Sequence, residues 1–232
     1  DAALHIAEAL SESGKAANRE KHGAPYYQID TKDGRITVCS AIGHLYQVDA
    51  KGSAERRNYP VWDFAWKPKH QVEKGQRRQE LWLRAIAELS RGVDTYINAC
   101  DYDLEGSLIG YMILEYACNG AAQIAKRMKF STLTEKELRD AYANLMPRLD
   151  FSLVYAGMCR HEVDWLYGVN LSRALTESAY KFNQRYCTLS TGRVQGPTLR
   201  FVVEREKEIM TFVPVPYWTI EAVVEIDGRE MA

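Results

Sequence analysis

The chain has 232 residues, of which 46% are hydrophobic and 26% are charged, and its formal net charge is −1. This composition is ordinary for one large or two small globular domains, and it excludes a chain that is basic throughout, so any nucleic acid would have to bind at local basic patches. Five cysteines without a C-x-x-C pair favour reduced thiols in the cytoplasm and no zinc site, and no apolar run approaches the roughly 18 residues of a membrane span.

The first part of the chain mixes helix and strand signals, which indicates an α/β fold. The elements predicted there are, in chain order, a helix over 2–12, strands over 26–30 and 35–40 joined by a turn at Asp33 and Gly34, an irregular segment over 49–70 and a helix over 77–90.

A strand, a polar turn, a helix and a second strand follow, over residues 95–100, 101–106, 107–118 and 124–130. This order is typical of a crossover unit in a parallel sheet. Because such sheets bind ligands at the carboxyl ends of their strands, the polar turn is in the expected position for a binding site.

The turn carries carboxylates at alternate positions, Asp101, Asp103 and Glu105. Alternate side chains of an extended segment point the same way, so three like charges repel each other unless a cation lies among them. Mg²⁺ takes oxygen ligands and shares itself with substrate phosphates. The turn therefore predicts a Mg²⁺ site and phosphoryl-transfer chemistry.

The acidic turn has two other interpretations. A calcium-binding helix–loop–helix motif begins with the same pattern, but it needs a glutamate at its twelfth position, where this chain has Met112. The other is a solvated acidic turn, because carboxylates are favoured at the start of any helix.

From Thr134 onward helical periodicity dominates. Thr134 and Glu137 have capping-box spacing, and helices are predicted to about residue 180 with a break near Pro147. A strand is predicted over 217–224, and a turn at 227–228 predicts a partner strand at the end of the chain. We interpret the chain as part of a longer protein, because its last sheet has only begun there.

Four segments resemble motifs of the type IA DNA topoisomerases and follow that family's order. They are DYDLEG at 101–106, like the metal-binding turn of the TOPRIM fold; SAIGHL at 40–45, like the S-x-G-H-L segment; DWLYGVNLSRA at 164–174, like the helix of the second DNA-binding segment; and LSTGRVQGPTL at 189–199, like the L-S-x-G-R-V-Q-x-P-T-L signature. The third segment is most similar to the branch of archaeal topoisomerase I and topoisomerase III.

The resemblance implies an α/β fold class with three parts. A TOPRIM (Rossmann-like, mainly parallel sheet) domain that binds metal would cover residues 1–132, with its first strand missing. A helical, winged-helix-like DNA-binding domain would cover 133–206, and the start of a β-rich arch would cover 207–232.

The resemblance also implies a reaction. Type IA enzymes cut one DNA strand with a tyrosine, hold the 5′-phosphate covalently, pass a strand through the gap and reseal it, with Mg²⁺ as cofactor. Asp101 and Asp103 would bind Mg²⁺, and Glu105 would be a third ligand or a catalytic proton-transfer group. The family's E-K-P acid and lysine have no counterpart here, and none of the fourteen tyrosines has the context of the nucleophile. We therefore expect the chain alone to be inactive.

DNA contacts are implied at three of the motifs. Arg193 offers a fork for phosphate oxygens between two glycines that permit close approach of the backbone. His161 and Trp165 lie four residues apart on one helical face, where an aromatic and basic stripe can hold a single strand. A purely structural role for His44, His161 or Trp165 is an equal alternative. The expected DNA-binding residues are His44, Arg160, His161, Trp165, Asn170, Ser190, Thr191, Gly192, Arg193, Val194 and Gln195.

The expected partner is DNA, bound through a single-stranded segment of an underwound duplex. We expect a monomer that is associated with the nucleoid and has no membrane partner. Two other functions stay open: another TOPRIM enzyme, such as a primase or a nuclease, and a nucleic-acid-binding module without catalysis.

Overall fold

The computed structural model describes residues 2–32, 34–52, 59–226 and 229–231. The chain forms two compact units, Asp1–Ser190 and Thr191–Ala232. The predicted domain boundaries lie after residues 132 and 206, whereas the two units divide after Ser190. The predicted boundaries therefore stay predictions. Asp33, in one predicted turn, and residues 227–228, in another, lie outside the described residues.

The first unit mixes helices with short strands, as the α/β prediction requires. Its helices are α1 (Ala2–Leu10), α2 (Lys69–Val72), α3 (Arg77–Leu89), α4 (Leu104–Met112), α5 (Glu135–Ala143) and α6 (Phe151–Asn183). Its strands are β1 (Ala17–Lys21), β2 (Ala24–Thr31), β3 (Gly34–Cys39), β4 (Tyr46–Ala50), β5 (Phe64–Pro68), β6 (Ile97–Asn98) and β7 (Lys126–Arg127).

The strands pair mostly as antiparallel hairpins. The order β1–β2–β3 is antiparallel throughout, β4 and β5 form a second antiparallel pair, and only β6 and β7 run parallel among the described residues. The prediction of a mainly parallel sheet is therefore wrong for this part of the chain. Short connections explain the difference: His22 and Gly23 alone join β1 to β2, both with positive φ, as a two-residue hairpin turn requires.

The predicted crossover unit is confirmed. Strand β6 leads through the acidic turn into α4, and the chain returns along β7, where Ile97 pairs with Lys126 and Asn98 with Arg127. Helix α4 begins at Leu104, three residues earlier than predicted, and continues as a π-helical turn over Ile113–Ala117.

Two predictions about local structure are corrected. Residues 49–70, predicted to be irregular, contain β5, which pairs with β4 so that Trp66 lies opposite the buried Val48 and Phe64 lies opposite Ala50. Helix α5 begins after Thr134 as the capping box predicts, but the Thr134 side chain makes no capping hydrogen bond. The carboxylate of Glu137 instead accepts hydrogen bonds from the Ser131 amide and the Thr132 hydroxyl.

The apolar side chains of the first unit form two clusters. The larger lies between α3, α4 and the loop before β4, where Leu45 and Leu108 are almost completely buried. The smaller joins α1 to α5 through Ile6, Met128 and Leu138. The elements next to the acidic turn are therefore anchored in the core, because Leu108 on α4 and Met128 after β7 are both buried.

The second unit contains α7 (Gln195–Thr211) and a short antiparallel pair of β8 (Val224–Ile226) with β9 (Arg229–Met231). The predicted strand over 217–224 is wrong except at its last residue, since 217–223 lie in no regular element. The partner strand predicted at the chain end is confirmed as β9. No helix among the described residues has the length and apolar character to cross a bilayer.

Candidate functional site

The path of the acidic turn is fixed by a capping hydrogen bond and by a close approach of two backbone segments. Asp103 caps α4, since its Oδ1 accepts the Gly106 N–H at 2.7 Å. At Gly106 a Cβ atom would lie 2.3 Å from the carbonyl oxygen of Asp101, so only glycine allows this close approach. The D-x-D-x-x-G spacing thus sets the path of the turn as well as its charge.

A buried arginine supports the turn from below. Arg127 on β7 is 1% exposed, and its Nη1 donates to the carbonyl oxygens of Asn98 and Met128 at 2.9 and 2.8 Å. Its Nη2 donates to the carbonyl oxygen of Asp101 at 2.7 Å. One guanidinium therefore ties the end of β6 to the first acidic residue of the turn.

Tyr102, between the two aspartates, connects the turn to α6. Its hydroxyl donates to Asp150 Oδ2 at 2.8 Å, while Asp150 Oδ1 caps α6 by accepting the amides of Ser152 and Leu153. The Lys129 ammonium lies 4.3 Å from the centre of the Tyr102 ring. The start of the long helix is thereby linked to the acidic turn.

Asp101 and Asp103 are exposed and line a cleft of about 480 Å³. Lys129, from the segment after β7, lines the same cleft. Its remaining lining residues are Tyr102, Phe130, Ser131, Thr132 and Leu133. Two carboxylates beside an ammonium can bind a divalent ion together with an anionic oxygen such as that of a phosphate.

Glu105 is placed differently from the two aspartates, because it lines no part of that cleft. Its Oε2 accepts hydrogen bonds from His44 Nε2 at 2.6 Å and from His161 Nε2 at 3.0 Å. Arg160 Nη1 lies 3.3 Å from its Oε1. The structure thus places three predicted site residues around the carboxylate of a fourth, Glu105, and none of these four residues lines the cleft of Asp101 and Asp103.

The protonation of this group follows from its hydrogen bonds. Burial raises the pKa of Glu105, but the hydrogen bonds from His161 and His44 outweigh burial, so its pKa is lowered and the group is a carboxylate. Burial lowers the pKa of His44 in spite of its bond to Glu105, which favours the neutral ring. A neutral His44 must carry its hydrogen on Nε2 to donate to Glu105.

The face of α6 beyond His161 packs on β5 and the segment before it. The rings of Trp165 and Phe64 lie 5.9 Å apart at their centres and are tilted by 51°, and Trp66 Nε1 donates to Glu162 Oε1 at 2.9 Å. Asn170 Oδ1 accepts the Val61 amide at 2.6 Å, and its Nδ2 donates to the Val61 carbonyl at 3.0 Å. Trp165 and Asn170, both expected to contact DNA, here have partners within the chain.

The remaining predicted residues lead into α7. Ser190 ends the first unit, and residues 191–194 precede Gln195, the first residue of that helix. The Gly196 amide donates to the Gly192 carbonyl at 3.3 Å, and the Thr198 amide donates to the Val194 carbonyl at 3.0 Å. The signature segment, with Arg193 at its centre, is therefore the entry to a helix.

Arg127, Tyr102 and Lys129 were not predicted from the sequence as residues of the site. Arg127 lies in a two-residue strand, and its burial depends on the parallel pairing with β6. Tyr102 and Lys129 come together only when that pair forms. The available clue was the group of three basic residues near a strand end, Lys126, Arg127 and Lys129.

Comparison with known proteins agrees with this arrangement. Residues 1–133 match the family model described as Toprim domain, and residues 148–232 match the model described as DNA topoisomerase. The chain is 46% identical over 231 residues to DNA topoisomerase 1 of Pyrococcus horikoshii, covering 98% of this chain and 33% of that protein. It is 44% identical over 223 residues to DNA topoisomerase 1 of Methanocaldococcus jannaschii, covering 96% and 28%.

A bacterial relative gives the same match at lower identity. DNA topoisomerase 3 of Bacillus licheniformis is 38% identical over 213 residues, which is 88% of this chain and 27% of that protein. The chain therefore combines a Toprim domain with a DNA topoisomerase region, and this combination defines its class of protein. The chain belongs to the type IA DNA topoisomerase family. It spans about a third or less of the length of these relatives.

Proposed function

We propose that this chain supplies the metal-binding and part of the DNA-binding machinery of an enzyme that cuts and reseals one DNA strand through a 5′-phosphotyrosine. The two aspartates in one cleft with Lys129 carry this proposal. The family match over both parts of the chain supports DNA as the substrate. No tyrosine of this chain is assigned as the nucleophile.

In this proposal Asp101 and Asp103 hold Mg²⁺. The donor set fits: both side chains offer carboxylate oxygens, and the capping bond of Asp103 uses Oδ1, which leaves Oδ2 for the ion. A bound Mg²⁺ would orient the scissile phosphate and neutralise developing charge. Lys129, on the same cleft, would hold a phosphate oxygen.

Glu105, with His44, His161 and Arg160, is proposed to act beside the metal rather than as its third ligand. The carboxylate with two imidazole donors can pass a proton to or from a reacting oxygen. Arg160, with its side chain 51% exposed, can hold a DNA phosphate. DNA contacts by Ser190, Thr191, Gly192, Arg193, Val194 and Gln195 belong to the same proposal.

The enzyme that contains this chain at full length tests the reaction. Replacing Asp101 and Asp103 together by alanine should abolish Mg²⁺-dependent resealing of a cleaved strand, because the metal would lose its ligands. Relaxation of supercoiled DNA and the covalent tyrosyl–DNA adduct are the two measurements. Resealing at the normal rate in the double variant would refute the metal assignment.

The same experiment separates the other functions. A primase would give nucleotide incorporation, and a nuclease would give a free cut end with no protein attached. A module without catalysis would bind DNA and give no product with any metal. The match to a DNA topoisomerase model over residues 148–232 favours the cutting and resealing enzyme over these.

Binding by the chain itself can be tested directly. Phosphate contacts make affinity for single-stranded DNA fall steeply as salt rises. We expect weak binding of a labelled oligonucleotide that is lost between low and physiological salt. Equal affinity at both salt concentrations would contradict the proposed phosphate contacts.

A further inference from the structure

Two imidazoles and one carboxylate of the first unit converge on a single point. The ligand atoms of His44, Glu105 and His161 all lie within 4.8 Å of one another. Within the part of the chain that the structure describes, this is the one group of three histidine, cysteine or acidic side chains so closely placed. Asp101 and Asp103 are not members of it.

We propose that His44, His161 and Glu105 form a second cation site, selective for a nitrogen-preferring divalent ion such as Zn²⁺. It is separate from the oxygen-only pair that we propose for Mg²⁺. This inference does not rest on the proposed reaction, since it needs only the positions of these three side chains.

The distances suit a small ion with only a modest adjustment. The two Nε2–Oε2 distances are 2.6 and 3.0 Å, whereas ligands at about 2.1 Å from a tetrahedral ion lie about 3.4 Å apart. The imidazole rings are 4.7 Å apart at their centres and tilted by 49°, so both Nε2 atoms can face one ion. Side-chain movements of less than about 1 Å would open the site.

The chemistry of the donors selects the ion. Two histidines and one glutamate are a donor set that Zn²⁺ takes in catalytic sites, where a fourth position stays open to water or substrate. Mg²⁺ prefers oxygen ligands throughout and is poorly served by imidazole. An ion at Nε2 displaces the hydrogen from that nitrogen, and each imidazole can then carry its hydrogen on Nδ1.

The surroundings of the group leave the site usable. Arg160 contacts Oε1 of Glu105, whereas both histidines contact Oε2, so the ion can bind Oε2 while the guanidinium keeps Oε1. The side chains of His44, His161 and Glu105 are 24%, 31% and 38% exposed, which gives an ion a path from solvent.

The three ligands come from separate parts of the fold. His44 precedes β4, Glu105 lies in the first turn of α4, and His161 lies on α6. An ion bound to all three would cross-link these elements and would occupy Glu105, which could then no longer transfer a proton. Zn²⁺ is thus expected to stabilise the chain against heat and to remove Glu105 from any catalytic role.

Cobalt substitution tests the site in the purified 232-residue chain. Co²⁺ is added in the presence of millimolar Mg²⁺, which occupies oxygen-only sites. We expect the visible absorption bands of a four- or five-coordinate Co²⁺ ion, and their loss when one equivalent of Zn²⁺ is added. His44→Gln and His161→Gln should each weaken Co²⁺ binding by more than about 100-fold, since each removes a direct ligand.

Two control variants distinguish this site from others. An Asp101→Asn/Asp103→Asn variant should keep the Co²⁺ bands, because those residues belong to the separate cleft. A Cys159→Ser/Cys187→Ser variant should also keep them, although both exposed thiols are possible zinc ligands. Circular dichroism of every variant confirms that the chain is folded.

The proposal is overturned if folded His44→Gln and His161→Gln variants bind Co²⁺ as well as the parent chain, or if the bands disappear with the two cysteines. Absence of any bands in the parent chain would also overturn it. None of these results bears on the Mg²⁺ proposal, whose failure would be seen with the aspartate variants alone.

Discussion

Tyr102 is the residue through which the acidic turn and the long helix are joined. Its hydroxyl donates to the carboxylate that caps α6, and its ring lies beneath the Lys129 ammonium. A phenylalanine would keep the ring and lose only the hydroxyl, so the hydrogen bond can be isolated.

Tyr102→Phe is expected to lower the free energy of unfolding by about 1 kcal/mol at neutral pH. The hydrogen bond from Tyr102 is the largest cause of the lowered pKa of Asp150, whose ordinary value is 3.8. A lowered carboxyl pKa contributes stability above the unfolded value, and this is lost as pH falls through the folded value. The difference between the chains should therefore be present at neutral pH and fade below about pH 4.

Urea denaturation of both chains at several pH values measures this difference. Tyr155→Phe is the matched control, because Tyr155 is 59% exposed and the substitution likewise removes only a hydroxyl. An equal cost for both substitutions, or a cost for Tyr102→Phe that is unchanged in acid, would contradict the coupling.

The cysteines differ in reactivity for a physical reason that can also be tested. Burial raises the pKa of the Cys39 thiol and of the Cys100 thiol to about 11, so each is almost wholly protonated near neutrality. Cys159 and Cys187 are exposed. Iodoacetamide at pH 8 should modify the exposed pair first and the other two only at higher pH or on unfolding. Peptide mass spectrometry follows each site, and early modification of Cys100 would contradict the prediction.

At the scale of elements, α6 is held to the rest of the first unit by polar contacts along one face. Asn170 makes two hydrogen bonds to the backbone of Val61, on the segment before β5. This residue was expected to contact DNA, and its position makes a supporting role the competing interpretation.

Asn170→Ala decides between the two roles. If Asn170 supports the fold, the variant should lose about 1–3 kcal/mol of stability, because the Val61 amide and carbonyl lose their partner. If it only contacts DNA, the melting temperature should be unchanged while affinity for a single strand falls. Asn144→Ala is the control, since exposed Asn144 bonds only within its own helix end.

The elements that the sequence predicted well are those with strong local signals. Helix α3 was expected over 77–90 and runs from Arg77 to Leu89, because its apolar positions repeat with helical spacing. The crossover of β6, α4 and β7 was also predicted, from apolar strands that flank an amphipathic helix. Strands β1, β4 and β5 were missed, because β1 is mostly exposed and has no apolar alternation, and β4 and β5 pair with each other across residues 51–63.

The site, too, has a part that the sequence predicted and a part that it did not. Asp101, Asp103 and Glu105 could be found from spacing alone, but spacing could not show that Glu105 turns to His44 and His161, 61 and 56 residues away in sequence. The reason is that α4 begins at Leu104, so that Glu105 follows helical geometry whereas the aspartates lie in the extended turn. Asp101 and Asp103 therefore precede the first residue of the helix, whereas Glu105 lies within it.

At the scale of the whole molecule, the first unit contains two different sets of metal-ligand atoms. One is the oxygen pair of Asp101 and Asp103, after β6. The other is the mixed nitrogen and oxygen group of His44, Glu105 and His161, which come from the loop before β4, from α4 and from α6. The match to the DNA topoisomerase model begins at residue 148, so it follows the oxygen pair in sequence and includes His161 of the mixed group. We propose that the oxygen pair is a divalent-metal site.

Titration with Mn²⁺, which replaces Mg²⁺ and is detected by its paramagnetic resonance signal, tests that claim most directly. The account predicts that the parent chain binds Mn²⁺ competitively with Mg²⁺ and that Asp101→Asn/Asp103→Asn weakens binding by at least about tenfold. The control variant Glu135→Gln/Asp140→Asn, which removes two exposed carboxylates of α5, should bind like the parent. Equal Mn²⁺ affinity in the parent and in the Asp101→Asn/Asp103→Asn chain would contradict the account.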